Sequence, residues 1–288
     1  MNSEAYYRFT LGDFKCVCIS DGGSYYPPNL LFADVAKEHI EEILRHRDIP
    51  TDNIWTPYTY LFVDTGEHRV LVDMGAGHIR PTTGKLIENM KGAGIDPGDI
   101  DTIFITHAHP DHVGGTLDNE GNLEYKNARY YIWKEEWDFW FSEKAIDLAV
   151  PKPAAERFVT TARKNLEAIR KQINLVDQES DIFPGICAIA APGHTPGHMV
   201  VSFSSGDERL LYIGDTSLHP LHLENPEWRS IFVILPEEAT PSKHKIFDLA
   251  ADEDAWVIGQ HFPPFPSLGH IVKKNDGWQW KPIEITNK

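Results

Sequence analysis

Thr106-His107-Ala108-His109-Pro110-Asp111-His112 follows directly on the apolar run Ile103-Phe104-Ile105. A short, bounded apolar run predicts a strand buried on both faces, so the histidine-rich segment leaves the end of a buried strand. Packing alone does not ask for three imidazoles and a carboxylate side by side. Neutral imidazole is the commonest nitrogen ligand for zinc, and carboxylate supplies a hard oxygen. In an extended segment the side chains at i and i+2 share a face, so His107 and His109 can grip one metal. Pro110 disfavours helix at His109 and keeps that stretch extended. Asp111 and His112 then point differently and suit a second metal nearby.

Four ligands cannot complete two sites, so the rest of the chain must supply more. Three further positions repeat the same context, a ligand type at the end of an apolar strand. His194 follows Ile186-Cys187-Ala188-Ile189-Ala190-Ala191-Pro192-Gly193, Asp215 follows Leu210-Leu211-Tyr212-Ile213-Gly214, and His261 follows Trp256-Val257-Ile258-Gly259-Gln260. Strand ends that deliver side chains to one rim are how sheet-based enzymes assemble a site from distant sequence. With the first cluster these positions make a coherent dinuclear set.

Outward from these strands, Tyr6 to Leu11 and Phe14 to Ser20 read as a hairpin about Gly12-Asp13. A loop over Ser24-Tyr25-Tyr26-Pro27-Pro28 is expected next, then a helix capped by Asp34 with Val35, Ala36, Ile40, Ile43 and Leu44 at helical spacing. Tyr60–Val63 and Arg69–Val72 form a second hairpin, and a short helix holds Leu86, Ile87, Met90 and Ala93. Pro151 and Pro153 introduce a helix striped by Phe158, Ala162, Leu166, Ile169 and Ile173. Strands resume at Cys187–Ala190, Met199–Phe203, Leu210–Ile213 and Trp256–Ile258, and the last hairpin turns at Asn275-Asp276-Gly277. Strand-rich stretches at both ends with helices between them suggest sheets covered by helices. Nothing divides the chain, so one domain over residues 1–288 is expected, with residues 1–60 contributing strands and a segment able to cover the pocket.

Composition narrows the function. With 27 Lys+Arg against 43 Asp+Glu the 288-residue chain carries a formal charge of −16. Such a surface repels phosphate backbones and anionic lipid, which argues against nucleic-acid and membrane partners. Hydrophobic residues at 41% exclude disorder. Cys16, Cys18 and Cys187 make no disulfide framework, and Cys16 and Cys18 read as small buried hydrophobes. Met1-Asn2-Ser3-Glu4-Ala5 lacks the basic start of a signal peptide, and no apolar run approaches the ~20 residues of a membrane span. A soluble, cytoplasmic protein is expected.

His107-Ala108-His109-Pro110-Asp111-His112 resembles the H-x-H-x-D-H motif of the metallo-β-lactamase superfamily. Asp73 in Leu71-Val72-Asp73-Met74-Gly75, the segment Gly193-His194-Thr195-Pro196-Gly197-His198 and Gly214-Asp215 match its other landmarks in order. The resemblance runs from about Tyr60 to the end. It implies an α/β fold, the αβ/βα four-layer sandwich, with a metal site at one edge of the sheets. Within the superfamily the chain is most similar to methyl parathion hydrolase and the N-acyl-homoserine lactonases, through Gly193–His198 and Gln260-His261-Phe262-Pro263 leading into Gly269-His270-Ile271. By that resemblance His107, His109 and His194 bind one metal, Asp111, His112 and His261 bind the other, and Asp215 bridges them. Zinc is the expected metal, with iron, manganese and cobalt as alternatives. A homodimer is a family-level expectation. True zinc β-lactamases carry cysteine where Asp215 stands, and flavodiiron oxidoreductases a glutamate where His109 stands.

The remaining histidines divide unevenly. His198 reads as a brace for the loop carrying His194, and Asp73 as an acceptor that orients a ligand imidazole. His219, His222 and His270 are candidates for the pocket wall, while His68, His78 and His244 read as surface residues. Of the aromatic positions, Trp55, Tyr58, Trp137, Phe139, Trp140, Phe262 and Phe265 are expected to divide between core and pocket. Tyr25, Tyr26, Phe32 and Tyr60 join Trp55 and Tyr58 as a candidate wall over the site. The implied function is a dinuclear metal-dependent hydrolase of a small ester-like molecule, attacking through a metal-bridging hydroxide. Asp215 holds the metals, and Asp111 passes a proton to the leaving group. Lactone or aryl-ester hydrolysis is the favoured activity, with weaker phosphotriester turnover. A thioester hydrolase of the glyoxalase II type, a nuclease and a non-catalytic metal-binding protein are the rivals. The nuclease is disfavoured by the charge.

Overall fold

The computed structural model describes residues 5–275 and 277–285, so residues 1–4, 276 and 286–288, with part of the expected turn at Asn275-Asp276-Gly277, lie outside the described residues. Two seven-stranded sheets carry the chain. The first orders β1 (Tyr6–Leu11), β2 (Phe14–Tyr26), β3 (Ile54–Asp64), β4 (Arg69–Val72), β5 (Thr102–Ile105), β6 (Arg129–Trp133) and β7 (Ile173–Val176) side by side. The second orders β8 (Ser180–Phe183), β9 (Ile186–Ala190), β10 (Met199–Ser205), β11 (Glu208–Tyr212), β12 (Trp256–Ile258), β13 (Leu268–Lys274) and β14 (Gly277–Pro282) in sequence. β4 to β7 pair in parallel, as do β11 and β12; the other pairs are antiparallel.

Alternation along the strands builds three layers of core. In β3, Leu61 and Val63 point between the sheets, while Tyr58, Tyr60 and Phe62 point outward; successive side chains of a strand take opposite faces. Phe104 likewise faces inward from β5, with Ile103 and Ile105 outward. Val201, Phe203, Leu210 and Tyr212 of the second sheet meet the inner face of the first. The outer face of the first sheet is covered by α3 (Leu86–Gly92), α5 (Lys134–Phe141) and α6 (Lys152–Ile169), through Met90, Trp140, Ala162 and Leu166. α8 (Pro236–Asp252) covers the second with Ile246, Phe247 and Ala250. Each fully buried large side chain contributes roughly 1.5–3 kcal/mol. This is the expected αβ/βα sandwich. A fourth apolar cluster joins α1 (Pro28–Leu31), α2 (Lys37–His46) and α7 (Leu221–Glu224) beside one sheet edge.

Three local expectations need correction, and one helix carried no expectation. Ser24 to Tyr26 are not loop: β2 passes a bulge between Ser20 and Gly23 and stays paired, Ser24 with Thr56 and Tyr26 with Ile54. Asp34 does not cap α2, which begins after Ala36; its carboxylate instead accepts from the backbone and side chain of Arg229, both at 3.0 Å. Ile173 leaves the α6 stripe and opens β7 opposite Tyr130. α8 was unforeseen because Pro241 lies inside it, and proline ordinarily breaks a helix interior. No described helix is long and apolar enough to cross a membrane.

Candidate metal centre

Each of the predicted ligand positions leaves the carboxyl end of a strand. His107 and His109 follow β5, and His109 stays extended (φ −64°, ψ 156°) before α4 (Pro110–Val113), whose single turn turns Asp111 and His112 to another side. His194 follows β9, Asp215 lies in the turn Gly214–Thr216 after β11, and His261 follows β12. β9, β11 and β12 run the same way, so their ends share one rim.

The side chains gather into two groups, His107 with His109, His194 and Asp215, and Asp111 with His112 and His261. In the first, His109 Nδ1 lies 3.0 Å from His107 Nε2 and 2.9 Å from His194 Nε2. Asp215 Oδ2 is 3.1 Å from His194 Nε2 and 3.7 Å from His107 Nε2. Its other oxygen, Oδ1, is 3.1 Å from His261 Nε2 and 3.3 Å from His112 Nε2. Asp111 Oδ2 is 3.5 Å from His261 Nε2 and 4.0 Å from His112 Nε2. One carboxylate oxygen therefore faces each group.

The donor chemistry fits a pair of cations. The Nδ1–H of His261 donates to the Pro57 carbonyl at 3.0 Å, and the Nδ1–H of His112 donates to Asp73 Oδ2 at 2.8 Å. With Nδ1 protonated, a neutral ring turns its Nε2 lone pair toward Asp215. Asp215 Oδ1 is buried without a hydrogen bond, so a positive charge, a metal ion or a proton, must stand between it and the Nε2 atoms of His112 and His261. Ligand atoms about 2.0–2.1 Å from a tetrahedral zinc sit roughly 3.3 Å apart, close to the spacings here.

Electrostatics agree. Burial, then the charge of His112, pushes His107 well below the usual histidine range; burial and His194 do the same to His109. Both stay neutral, as ligands must. Burial also works to lower His112 and His261, but Asp215 and the neighbouring carboxylates outweigh it and raise both. Asp215 itself is pulled well below the carboxylate range, burial being outweighed by His261, His112 and His194. The centre favours positive charge between its ligands.

Supporting groups hold this arrangement. Asp73 also accepts from the backbone N–H and hydroxyl of Thr106, at 2.8 and 2.7 Å. His198 does not face the pocket; its Nε2 accepts the Asp215 N–H at 2.9 Å. Burial and the charge of His194 lower it to about 3, which keeps it an acceptor. Gly214 (φ +48°) makes room, since a Cβ there would lie 2.8 Å from His198 Nε2.

A family model described as the metallo-beta-lactamase superfamily matches residues 54–261. The chain belongs to that superfamily. Among solved structures of similar proteins, AidC, a dizinc quorum-quenching lactonase in complex with a hexanoyl homoserine product, is 30% identical with TM-score 0.91, over 98% of this chain and 99% of that one. The hydrolase AbOPH of the beta-lactamase superfamily is 28% identical with TM-score 0.90, over 100% of both chains. An N-acyl homoserine lactone lactonase at 18% identity and TM-score 0.62, over 91% of this chain and 100% of that one, shares the fold.

Above the candidate centre this superfamily member has a pocket with a cavity volume of about 50 Å³, open on one side, with His109, Asp111, His194, Asp215 and His261 on its floor. Tyr26, Leu31, Thr56, Phe158, Leu218 and Phe232 form its walls. Of the proposed aromatic wall only Tyr26 faces inward. Tyr25 and Trp55 pack against each other, tilted at 58°, on the opposite face of the same strands, 61% and 37% exposed. Tyr58 lies beneath, its hydroxyl 2.5 Å from that of Tyr26 and its ring edge-on to His261. Tyr60 donates to the Asp111 carbonyl, and Phe32 packs on His222.

His219, His222 and His270 do not reach the pocket. His222 is 3.0 Å from the Leu31 carbonyl, His219 Nδ1 accepts the Leu221 N–H at 3.1 Å, and burial lowers both rings. His270 packs against Trp256, its ring tilted at 43°, near Asp254. Trp140 is buried with its ring edge toward His109, Phe262 packs on Trp280, Phe265 joins the core between the sheets, and Trp137 and Phe139 pack outside the first sheet. Phe158 was read only as helix core, and Phe232, Leu31 and Leu218 carried no signal in the sequence. Glu136 was missed too. It lies in Lys134-Glu135-Glu136, which reads as solvated charge, yet it is fully buried against the ligand loops.

Proposed function

We propose that this superfamily hydrolase opens acyl lactones, and cleaves aryl esters by the same chemistry, with two divalent ions, zinc first, held by the seven residues. His107, His109 and His194 would hold one ion and Asp111, His112 and His261 the other, with Asp215 standing between the two groups. The observation that carries this is Asp215, with its two oxygens turned to two separate groups of ligands under an apolar pocket. When bound, such a pair lowers the pKa of water toward neutrality and polarises the oxygen of the scissile group.

The chain's own residues supply the rest. Asp73 and the Pro57 carbonyl fix the tautomers of His112 and His261, which keeps both Nε2 atoms available. Leu31, Phe158, Leu218 and Phe232 exclude water and hold an acyl or aryl group. Among the described residues neither lysine nor arginine lines the pocket, which disfavours a multiply anionic substrate such as a glutathione thioester. Asp111, at the floor and partly exposed, is placed to carry a proton. Water adds its oxygen to the carbonyl carbon, the carbon–oxygen bond of the ring breaks, and the proton released passes through the Asp111 carboxylate to the departing oxygen. The 30% identity to a dizinc lactonase over nearly the whole chain supports the lactone.

Comparing kcat/KM for an acyl lactone, an aryl ester, an aryl phosphotriester and a glutathione thioester tests the substrate class. The lactone or the aryl ester should lead, with the phosphotriester slower and the thioester slowest. A clear win for the thioester or the phosphotriester overturns the proposal and leaves the metal ligands untouched.

A further inference from the structure

Glu136 stands in the first turn of α5, on the outer side of the metal centre, with its side chain fully buried. A buried carboxylate without a cation beside it is costly unless its lone pairs are filled. Here four donors fill them. Oε1 accepts the Ala108 N–H at 2.9 Å and the Trp140 Nε1–H at 2.6 Å. Oε2 accepts the Thr195 hydroxyl at 2.5 Å and the Gly197 N–H at 3.1 Å.

The origin of those donors matters more than their number. Ala108 lies between His107 and His109. Thr195 and Gly197 lie between His194 and His198. The Trp140 ring meets His109 edge-on at 5.6 Å. One side chain thus joins the two loops, from different sheets, that bring three imidazoles together. The second loop is drawn in so closely that a Cβ on Gly197 would lie 2.1 Å from the Glu136 nitrogen. Nothing comparable ties Glu136 to His112 or His261 among the described hydrogen bonds.

We propose that Glu136 is a positioning residue for one half of the centre, setting the distance between the His107–His109 loop and the His194 loop. It thereby tunes the metal affinity of that half alone. This role presupposes the metal pair proposed above. Glutamine at 136 keeps the shape but can offer only one carbonyl oxygen. If that oxygen keeps Ala108 and Trp140, the amide nitrogen faces the Gly197 N–H, donor against donor, and the His194 loop must move.

Stepwise zinc and cobalt(II) titration of metal-free wild type and Glu136→Gln, with the cobalt spectrum recorded at each step, tests this. His109→Ala and His261→Ala provide reference spectra for loss of either half. Wild type should take up two ions; failure there overturns the metal pair itself rather than the role of Glu136. Glu136→Gln should weaken one of the two sites by about 10–100-fold, with a spectrum matching His109→Ala, and leave the other site as in wild type. Thr195→Val removes a single bond from an otherwise intact cluster and should weaken the same site by a smaller factor. It also decides the question if Glu136→Gln does not fold. Unchanged affinity in both variants, or equal weakening of both sites, overturns the proposal.

Discussion

Asp73 Oδ2 accepts the Nδ1–H of His112 at 2.8 Å, with both side chains entirely buried. The carboxylate reaches this position from the end of β4, where Asp73 adopts φ +61°, and it ties that turn to Thr106 as well. Groups that orient a ligand imidazole typically account for 10–100-fold in metal affinity. Asp73→Ala is therefore expected to lower affinity at the His112 half by about that factor, measured by chelator competition. An unchanged affinity would show that His112 needs no partner to hold its tautomer.

Asp215→Asn keeps the size of the side chain and removes the negative charge between the two groups of ligands. Activity should fall by several orders of magnitude. His222→Ala, by contrast, breaks a buried contact with the Leu31 carbonyl, which should cost about 1–3 kcal/mol of stability and leave kcat/KM within a few-fold of wild type. Parallel steady-state kinetics and urea melts separate the two, and equal losses of activity would contradict this division of roles.

Phe158 and Phe232 lie nearly parallel, with ring centroids 6.3 Å apart. They separate the pocket from an adjoining cleft lined by Leu148, Val150, Ile231 and Ile234. Phe158→Ala should join the two spaces and improve longer acyl chains relative to short ones. Each buried methylene is worth about 0.8 kcal/mol, so burying two more in the joined space should raise the kcat/KM ratio of a long-chain to a short-chain lactone about tenfold. A ratio that stays constant would place the acyl group elsewhere.

Asp21 sits under the β2 bulge and accepts the Ala76 and Leu86 N–H groups at 2.9 and 2.7 Å. Burial pushes its carboxyl up from near 3.8 to about 6, against the pull of those bonds. Between these values the unfolded chain binds fewer protons than the folded one, so this group erodes stability as pH rises, and fully so above its folded pKa. A displacement of that size corresponds to roughly 3 kcal/mol. Asp21→Asn should remove this dependence, so the difference in unfolding free energy shifts in the variant's favour between pH 4 and 7. A difference independent of pH contradicts it.

Much of this architecture could be read before any coordinates. Ile103-Phe104-Ile105 announces a buried strand, and the residues after it carry chemistry that packing does not need. His194, Asp215 and His261 repeat that context, so the rim could be inferred from strand ends alone. The pocket could not. Tyr25 and Tyr26 are neighbours of one residue type, and only the run of β2 past its bulge decides that Tyr26 faces the site and Tyr25 the solvent. Phe158 satisfies a helical stripe and a pocket wall at once. Glu136 looks like surface charge, because three of the four donors that fill its carboxylate come from two distant loops. His219, His222 and His270 misled for the converse reason: closeness in sequence to Asp215 or His261 says nothing about which side of the strand end a ring takes.

The most direct test of the whole account is hydrolysis of an acyl lactone by metal-free protein as zinc is added in known equivalents. The dinuclear centre predicts activity that is absent without metal and rises to a plateau at two zinc ions per chain. A plateau at one ion, or full activity in the metal-free protein, would contradict it.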